Sequence, residues 1–396
     1  MNPARRARAA VAALFLANGA LFANLVPRFP DLKESLGLSN AAFGSAVALY
    51  GVGALIAGAV AGLLVSRWGS RVVAPVTTVA VAANLVLVGL APTWGTFAAA
   101  LFVAGALDSI ADIANNAHGL RVERLYGRSI LNSLHGLWSI GAVVGGAMGA
   151  AAAGLELPIA THLAIAAAVF AALAAGVWRL MLPGRDDAEL PAAGLPRLGL
   201  VRIARTVVAL GVIAAMAQVM EEITSTWGAL YLREDLGAAA GVAGLGFIAL
   251  QATQTVGRLL GDRVVERYGD RAVARAGAAL AGTAMTAALA FPATATTIVA
   301  FGLVGAGIGT LIPAALRAAD GLPGLPRGVG LSLVGTVLRL AILASPALVG
   351  FTADALSLRA ALLAMPLAAA LVLLLSPILP ASRRPSRPAA RPSARA

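Results

Sequence analysis

The sequence contains twelve apolar segments, each about as long as the hydrocarbon core of a bilayer is thick. A helix rises about 1.5 Å per residue, so roughly twenty residues cross a core of ~30 Å. Only 12% of the 396 residues are charged, whereas soluble domains carry roughly 25% charged residues. We therefore predict an all-α integral membrane protein with twelve transmembrane helices. These are numbered span 1 to span 12, at approximately residues 8–27, 41–65, 72–91, 96–117, 131–153, 160–181, 203–231, 240–261, 272–291, 296–316, 329–350 and 357–379.

The net charge of +12 follows the predicted topology. If the N-terminus lies in the cytoplasm and the connections alternate sides, 24 of the 30 lysines and arginines fall on the cytoplasmic side. Cytoplasmic connections of membrane proteins carry such an excess of basic residues. We therefore predict a multi-pass protein of the inner (plasma) membrane with both termini in the cytoplasm, and we interpret the positive charge as a topology signal and not as a nucleic-acid surface.

The sequence lacks the residues that several kinds of protein chemistry require. Cysteine is absent, which excludes disulfides, thiolate catalysis and cysteine-based metal sites. The three histidines are scattered along the chain and form no metal motif. No nucleotide-binding loop and no catalytic cluster is present, so we expect no enzyme activity and no cofactor. We expect a monomer in the lipid bilayer.

The chain matches itself at an offset of 200 residues. Residues 34–37 (Glu-Ser-Leu-Gly) align with 234–237 (Glu-Asp-Leu-Gly), and residues 67–71 (Arg-Trp-Gly-Ser-Arg) align with 267–271 (Arg-Tyr-Gly-Asp-Arg). A common offset predicts two six-span halves in parallel orientation. The predicted organisation is an N-terminal half at 1–182, a cytoplasmic linker at 183–202, a C-terminal half at 203–380 and a disordered basic tail at 381–396.

Span 4 carries two carboxylates inside its apolar run. Asp108, Asp112 and Asn116 follow one another at four-residue steps, which places them along one stripe of a helix. A charge at bilayer depth costs roughly 2.5–3.5 kcal/mol on insertion scales, so such residues face a protein interior or a water-filled cavity. We assign Asp112 and Asp108 to proton coupling and Asn116 to substrate binding. The alternative is a structural pair satisfied by an arginine or by hydroxyl groups.

Span 7 carries a second acidic group. Glu221 and Glu222 are adjacent and point about 100° apart on a helix, so they cannot face one cavity equally. We assign Glu221 to proton coupling and Glu222, with Gln218, to the substrate site. Trp227 is assigned to the substrate site as well, although tryptophan near a membrane interface is often only part of an aromatic belt.

Two arginines lie within spans. Arg339 is central in span 11, with no acidic residue in its own span. It could form a switchable ion pair with the carboxylates of spans 4 and 7, clamp an anionic substrate, or belong to a permanent buried pair. Arg258 lies four residues before Asp262 near the cytoplasmic end of span 8, which favours snorkelling to the membrane surface or a pairing at the gate over substrate contact. The other polar residues predicted to line the cavity are Asn18, His135, Trp138, Gln251 and Gln254.

Two short basic loops follow spans 2 and 8. They approximate the pattern G-x-x-x-D-R-x-G-x-R, with Ser66 at the acidic position of the first copy and Glu266 at that of the second. Twelve spans in two halves with these loops resemble the major facilitator superfamily. The resemblance implies that the loops form a cytoplasmic gate, and Ser66 departs from the acidic residue that the pattern has at this position. The predicted gate residues are Arg67, Gly69, Arg71, Arg258, Asp262, Glu266, Arg267, Gly269 and Arg271.

Narrower segments resemble one branch of that superfamily. Residues 112–118 (Asp-Ile-Ala-Asn-Asn-Ala-His) and 257–263 (Gly-Arg-Leu-Leu-Gly-Asp-Arg) are similar to the fucose-permease-related branch and its YbjJ-type bacterial members. The resemblance implies a secondary active transporter of a sugar-like or other small polar solute, driven by protons through alternating access. Proton-driven efflux of amphipathic compounds is the alternative, and a non-transporting membrane sensor or assembly protein is a third possibility.

Overall fold

A computed structural model of the chain describes residues 3–127, 130–184, 200–320, 322 and 329–381. Within these residues every regular element is a helix, as the apolar segments predict. The predicted linker lies mostly, and the tail almost entirely, outside the described residues, so the three predicted domain boundaries stay predictions.

The first six spans are long single helices, and span 1 is extended by a short one. A 3-10 turn at Val26–Arg28 joins span 1 to the helix Phe29–Ser35. The side chain of Ser39 accepts a hydrogen bond from the Ala42 amide and so caps the start of span 2. Spans 1 to 6 are Pro3–Leu25, Asn40–Trp68, Ser70–Gly89, Trp94–Tyr126, Leu131–Gly154 and Ile159–Val177.

The second six spans repeat this order with more interruptions. Span 8 is preceded by a single helical turn, and spans 10 and 12 are each divided into two helices. Spans 7 to 12 are Leu200–Leu230, Leu245–Tyr268 (after Ala240–Ala243), Asp270–Ala290, Thr294–Ile308 with Leu311–Asp320, Val329–Ala355, and Leu358–Ala361 with Ala364–Leu375.

Eleven of these twelve spans are long and apolar enough, in the described part of the chain, to cross a membrane by composition alone. The exception is span 8, a helix of 24 residues. It carries Arg258, Asp262, Arg263, Glu266 and Arg267 within its last eleven residues, and these charges lower its mean hydropathy. Span 8 nevertheless packs inside the bundle against spans 5, 7 and 10, so the predicted two-times-six architecture is confirmed.

The bundle has two ends. The terminal side, as we name it, carries the start of span 1, the end of span 12 and the tight connections at Gly69 and Gly269. The far side carries the connections at residues 36–39, 90–93, 155–158, 236–239 and 291–293. Gly69 and Gly269 have φ of 80° and 83°, a backbone conformation that glycine adopts without steric cost, and each joins two spans without a loop.

The sequence repeat is also a repeat of contacts. A Cβ on Gly105 would lie 1.9 Å from the carbonyl oxygen of Tyr50, and a Cβ on Gly305 would lie 2.2 Å from that of Leu250. Both glycines and both partners are separated by 200 residues. Spans 2 and 4, and likewise spans 8 and 10, therefore cross with their backbones in contact, which only glycine permits. Between the halves, span 2 packs on span 11 and span 5 on span 8.

Candidate functional site

Asn18 of span 1 connects two other spans of the first half. Its amide nitrogen donates to Asp108 Oδ1 at 2.8 Å, and its amide oxygen accepts from the indole nitrogen of Trp138 at 2.9 Å. Asn18 is buried, so each polar atom of its side chain needs a partner. The structure thus brings three predicted residues, from spans 1, 4 and 5, into one hydrogen-bonded chain.

Tyr50 of span 2 supplies a second donor to Asp108, through a hydrogen bond between the two side chains. Its ring packs on Phe22 with 4.7 Å between the ring centroids. The sequence analysis missed Tyr50. Tyr50 could have been predicted from its phenolic hydroxyl, which lies within a largely apolar span, because a hydroxyl that is buried there requires a hydrogen-bond partner.

Asp112 belongs to a separate line of contacts along spans 4 and 5. The Asn116 amide donates to Asp112 Oδ1 at 2.9 Å, and Nε2 of His135 lies 3.2 Å from Asn116 Oδ1. Since an amide oxygen only accepts, Nε2 carries the proton of this bond. His135 also packs edge-on against Phe15 at 5.2 Å. This line runs from a carboxylate at mid-span to an exposed imidazole nearer the terminal side.

In the second half, Glu221 has two partners on span 8. The Gln254 amide donates to Glu221 Oε2 at 2.7 Å, and Nη2 of Arg258 lies 3.8 Å from the same oxygen. The predicted pairing of Arg258 with Asp262 is not what the structure shows, because Arg258 faces span 7. Arg258 therefore belongs with the carboxylates at mid-span, and Asp262 is exposed toward the terminal side.

Glu222 points away from this pair, as the 100° step between neighbours requires. It accepts a hydrogen bond from the hydroxyl of Thr226, one turn further along span 7. Gln251 is buried, and its amide oxygen has no hydrogen-bond partner among the described residues. Gln218 is half-buried on the same span as the glutamates.

The polar groups of the two halves face one another. Glu222 acts electrostatically on Tyr50, and Arg258 on His135, so spans 7 and 8 lie opposite spans 2 and 5 at this depth. We call this set the polar cluster: Asn18, Tyr50, Asp108, Asp112, Asn116, His135, Trp138, Glu221, Glu222, Gln254 and Arg258. It contains four carboxylates, and each accepts a hydrogen bond from a neighbouring side chain.

Trp227 is placed outside the polar cluster. It is fully buried and packs edge-on against Phe43 of span 2, with 5.6 Å between ring centroids. Phe43 in turn contacts Phe29 and Phe97 at 5.3 Å and 6.1 Å. These four rings, which we call the aromatic plug, fill the bundle between the polar cluster and the far side.

Exposure of the polar cluster rises toward the terminal side. Phe43 and Trp227 have no accessible surface, whereas the Arg258 side chain is 38% exposed and His135 is exposed. His135 and Arg258 face each other across the two halves, so their exposure is to the space between the halves. This gradient indicates that the cluster is reached from the terminal side.

Arg339 is exposed in span 11, and it forms no ion pair with any described residue. Its span packs along span 2, where Leu343 and Ile342 lie next to Gly51. The carboxylates of spans 4 and 7, which the sequence offered as partners, are bound by other side chains here. The described residues therefore show no permanent buried pair at Arg339, and the switchable ion pair and the anion clamp stay predictions.

The far side is closed by charge pairs between the halves. Lys33 Nζ lies 2.7 Å from Glu234 Oε2, and Arg233 Nη2 lies 3.6 Å from Glu34 Oε2. The second pair is the first with the halves exchanged, because positions 33 and 34 correspond to 233 and 234 in the repeat. Arg233 also pairs with Asp31. We call these five residues the far-side lock, and the sequence analysis did not identify it.

A carboxylate on span 11 joins the same closure. Asp354 accepts hydrogen bonds from the backbone amides of Asn40 and Ala41, at 2.9 and 2.8 Å. These amides begin span 2, where a helix leaves its first N–H groups without backbone partners and where negative charge is stabilised. Span 2 is therefore tied to the second half at its far end.

Apart from Arg258, the predicted gate residues lie at the terminal side of the bundle. Arg67, Glu266 and Arg267 are exposed there, and the Arg267 guanidinium stacks over the Tyr268 ring at 5.4 Å. The buried acid of the second loop is Asp270, which accepts a hydrogen bond from Arg317 of span 10 at 2.7 Å. At the matching position of the first half, Ser70 contacts His118 Nδ1 of span 4 at 2.9 Å. Each loop is thus fastened within its own half.

The architecture and the paired polar groups define a multi-pass membrane transporter, and comparison with known proteins agrees. Residues 11–220 and 207–396 match the model of the Major Facilitator Superfamily. The chain belongs to this family, so it is a transporter of a small-molecule substrate and not an enzyme.

Two similar proteins have names that state transport but no substrate. The chain is 30% identical to the uncharacterized transporter y4wD of Sinorhizobium fredii over 369 residues, which covers 93% of this chain and 97% of the relative. It is 29% identical to an uncharacterized MFS-type transporter of Yersinia pestis, covering 88% and 89% of the two chains.

Solved structures of distant transporters share the fold. The nucleoside transporter NupG superposes with a TM-score of 0.75 at 14% identity, covering 96% of this chain and 99% of the other. A D-xylose–proton symporter superposes with a TM-score of 0.73 at 15% identity, covering 96% and 98%. At these identities the likeness concerns the fold alone.

Proposed function

We propose that the chain is a proton-coupled secondary transporter that moves a small polar, sugar-like solute across the inner membrane by alternating access. The terminal side is the cytoplasmic side in this proposal, and both termini lie there. The conformation described above is then inward-facing, with the far-side lock and the aromatic plug closed. The protein acts as a monomer, because both halves of the polar cluster come from one chain.

The line from Asp112 through Asn116 to His135 carries the proposal for proton coupling. It places a carboxylate within the membrane in contact with groups that reach the terminal side. Intramembrane carboxylates connected to water in this way mark proton or ion paths. Asp108 and Glu221 are the further coupling carboxylates of the proposal, one in each half.

The chemistry of the polar cluster supports a polar, hydrogen-bonding solute. Carboxylates and amides offer acceptors and donors to hydroxyl groups, and Trp138 offers an aromatic face beside them. Asn18, Asn116, His135, Gln218, Glu222, Gln251, Gln254 and Arg339 complete the proposed substrate site. Trp227 contributes in this proposal as the floor of the site, through the aromatic plug.

Transport requires that a ligand favour one conformation over the other. A ligand shifts a two-state equilibrium only by its difference in affinity for the two states. Protons can bind the two conformations with different affinity through the four carboxylates. A neutral carboxyl group costs less free energy to bury than a charged one when the terminal side closes. Solute binding and protonation together would favour closure, which opens the far-side lock.

The test is a solute screen with the full-length protein in liposomes. Sugars, organic acids and amphipathic dyes are compared by counterflow, and each solute that exchanges is then tested for accumulation driven by an imposed proton gradient. The proposal expects exchange of a neutral polyhydroxy solute and its proton-driven accumulation. Exchange restricted to amphipathic dyes would replace it by efflux, and exchange of no solute in any class would contradict transport of this kind.

A further inference from the structure

Arg71 and Arg271 occupy the same position in the two halves, yet only one of them is satisfied. Each is the second residue of its span and lies two residues after a glycine with positive φ, Gly69 in the first half and Gly269 in the second. Arg271 donates from Nε to the Leu379 carbonyl at 2.9 Å and from Nη2 to the Pro377 carbonyl at 2.6 Å. The end of span 12 therefore provides this arginine with acceptors.

Arg71 has no such acceptors. Its Nε is buried and makes no hydrogen bond in the described part of the chain, and no ion pair there involves Arg71. The residues at the end of span 6 that correspond to 377 and 379 are Val177 and Arg179. Arg179 is exposed, and its side chain lines the same recess as Arg71. A buried donor without an acceptor is destabilising, so this arrangement requires a partner.

An open recess lies between these two arginines. Its volume is about 600 Å³, and it is lined by Arg71, Val72, Ala175, Trp178 and Arg179. The repeat explains why this space is open in the first half. In the second half Arg275 donates to the Ser376 hydroxyl at 2.7 Å, and the corresponding residues in the first half are Pro75 and Gly176. The side chains that would cross this space are absent.

The residues that line the recess indicate which kind of ligand it can bind. Two guanidinium groups without an acid form a site for phosphate, which arginine binds through its planar fork. Span 3 begins at Ser70, so its N-terminus adds positive potential. Val72, Ala175 and the half-exposed Trp178 form the rest of the wall, and tryptophan at the end of a span lies at headgroup depth.

We propose that the Arg71 recess binds the phosphate of an anionic phospholipid, with Trp178 packed against the glycerol and the start of an acyl chain. The lipid supplies the first half with the acceptors that span 12 supplies to Arg271. It would thereby join the ends of spans 3 and 6. This inference is independent of the transported solute and of the direction of transport.

The test is lipid binding to the delipidated full-length protein in detergent, followed by its midpoint of thermal unfolding. Phosphatidylglycerol and phosphatidylcholine with the same acyl chains are titrated separately, and inorganic phosphate is titrated alone. We expect phosphatidylglycerol to raise the midpoint at the lowest concentration. In R71Q/R179Q we expect its apparent affinity to fall roughly tenfold or more, since two charge-assisted contacts are lost.

Two further variants separate the recess from general effects. R5Q/R6Q removes the same charge from exposed arginines on the same side and should bind phosphatidylglycerol as the unmodified protein does. Ala175→Phe leaves both arginines in place but fills the recess, and should lose the preference for the anionic lipid. An equal response to phosphatidylglycerol in all four proteins would overturn the proposal. A response to inorganic phosphate that the lipid does not exceed would overturn the lipid as ligand.

Discussion

Lys33 of the first half and Glu234 of the second form an ion pair, with 2.7 Å between Nζ and Oε2. The equivalent positions with the halves exchanged, Arg233 and Glu34, form a second ion pair. An interface of this type, in which the two partners exchange roles, is expected where two similar halves meet about a twofold axis. At these residues the two halves are held together by ion pairs and not by covalent bonds or by a buried apolar contact. Such a closure can open and re-form in each transport cycle.

The far-side lock predicts a change in accessibility. The chain has no cysteine, so Val47→Cys reports on the far half of span 2, one turn from Gly44, which contacts Pro346 of span 11. Neutralising Lys33 and Arg233 together should raise the rate at which a membrane-impermeant maleimide labels Val47→Cys from the far side. The Lys33–Glu234 pair is partly buried, so its loss should cost more than the roughly 0.2–1 kcal/mol of an exposed pair, and we expect labelling to become roughly tenfold faster or more.

The matched control for this experiment is Glu156→Gln, which removes an exposed far-side charge that forms no ion pair with described residues. It should leave labelling unchanged. Lys33→Glu alone should raise labelling, and the exchange K33E/E234K should restore it. Equal labelling in all backgrounds would show that these charges do not hold the far side closed.

Tyr50→Phe tests the donor that the sequence analysis missed. The variant keeps the ring and its packing on Phe22 but removes the hydrogen bond to Asp108. A hydrogen bond to a charged group contributes roughly 1.5–3 kcal/mol, so we expect the initial rate of proton-driven uptake to fall roughly tenfold or more. Tyr268→Phe, at an exposed position of span 8, should transport normally. Uptake by Tyr50→Phe at the unmodified rate would remove Tyr50 from the site.

Arg339 is predicted to matter in the conformation that this structure does not show. An arginine at mid-span must be compensated once the terminal side closes around it, and the carboxylates of the polar cluster are then its partners. Arg339→Gln should slow turnover by more than it weakens solute binding in the inward-facing state, with exposed Arg205→Gln as the control. Loss of affinity for anionic solutes alone would instead assign Arg339 to an anion clamp.

Orientation can be tested without a substrate. A reporter that is active only in the cytoplasm should be active when fused after Ala396, and it should be silent when inserted near Ala238 in a far-side connection. The reason is the excess of basic residues on the terminal side. Activity at Ala238 would reverse the topology and would make the described state outward-facing.

The fold followed from features that are local in the sequence. The length and spacing of the apolar runs predicted twelve spans, and the 200-residue offset predicted the relation between halves that Gly105 and Gly305 now display as backbone contacts. The breaks in spans 8, 10 and 12 were not predicted. They fall at Gly244, at Gly309–Thr310 and just before Pro366, where glycine and proline interrupt helices without shortening the apolar runs from which the spans were predicted.

The site could be predicted only in part, since its contacts join distant positions. The four-residue spacing predicted that Asp112 and Asn116 share a helix face, and they bond to each other. The partners of Asp108 and of Lys33 are 90 and 201 residues away, and which of them meet depends on helix packing. The partner of Arg258 could not be predicted for the same reason, because the rotation of span 8 about its axis turns Arg258 toward Glu221.

Proton-driven accumulation by Asp112→Asn tests the central claim most directly. The substitution removes a titratable group at nearly constant volume, and Asn116 and His135 stay in place. In liposomes with a solute that the unmodified protein exchanges, the account predicts that Asp112→Asn retains counterflow but does not accumulate the solute when a proton gradient is imposed. Accumulation to the level of the unmodified protein, with the same dependence on pH, would contradict the account.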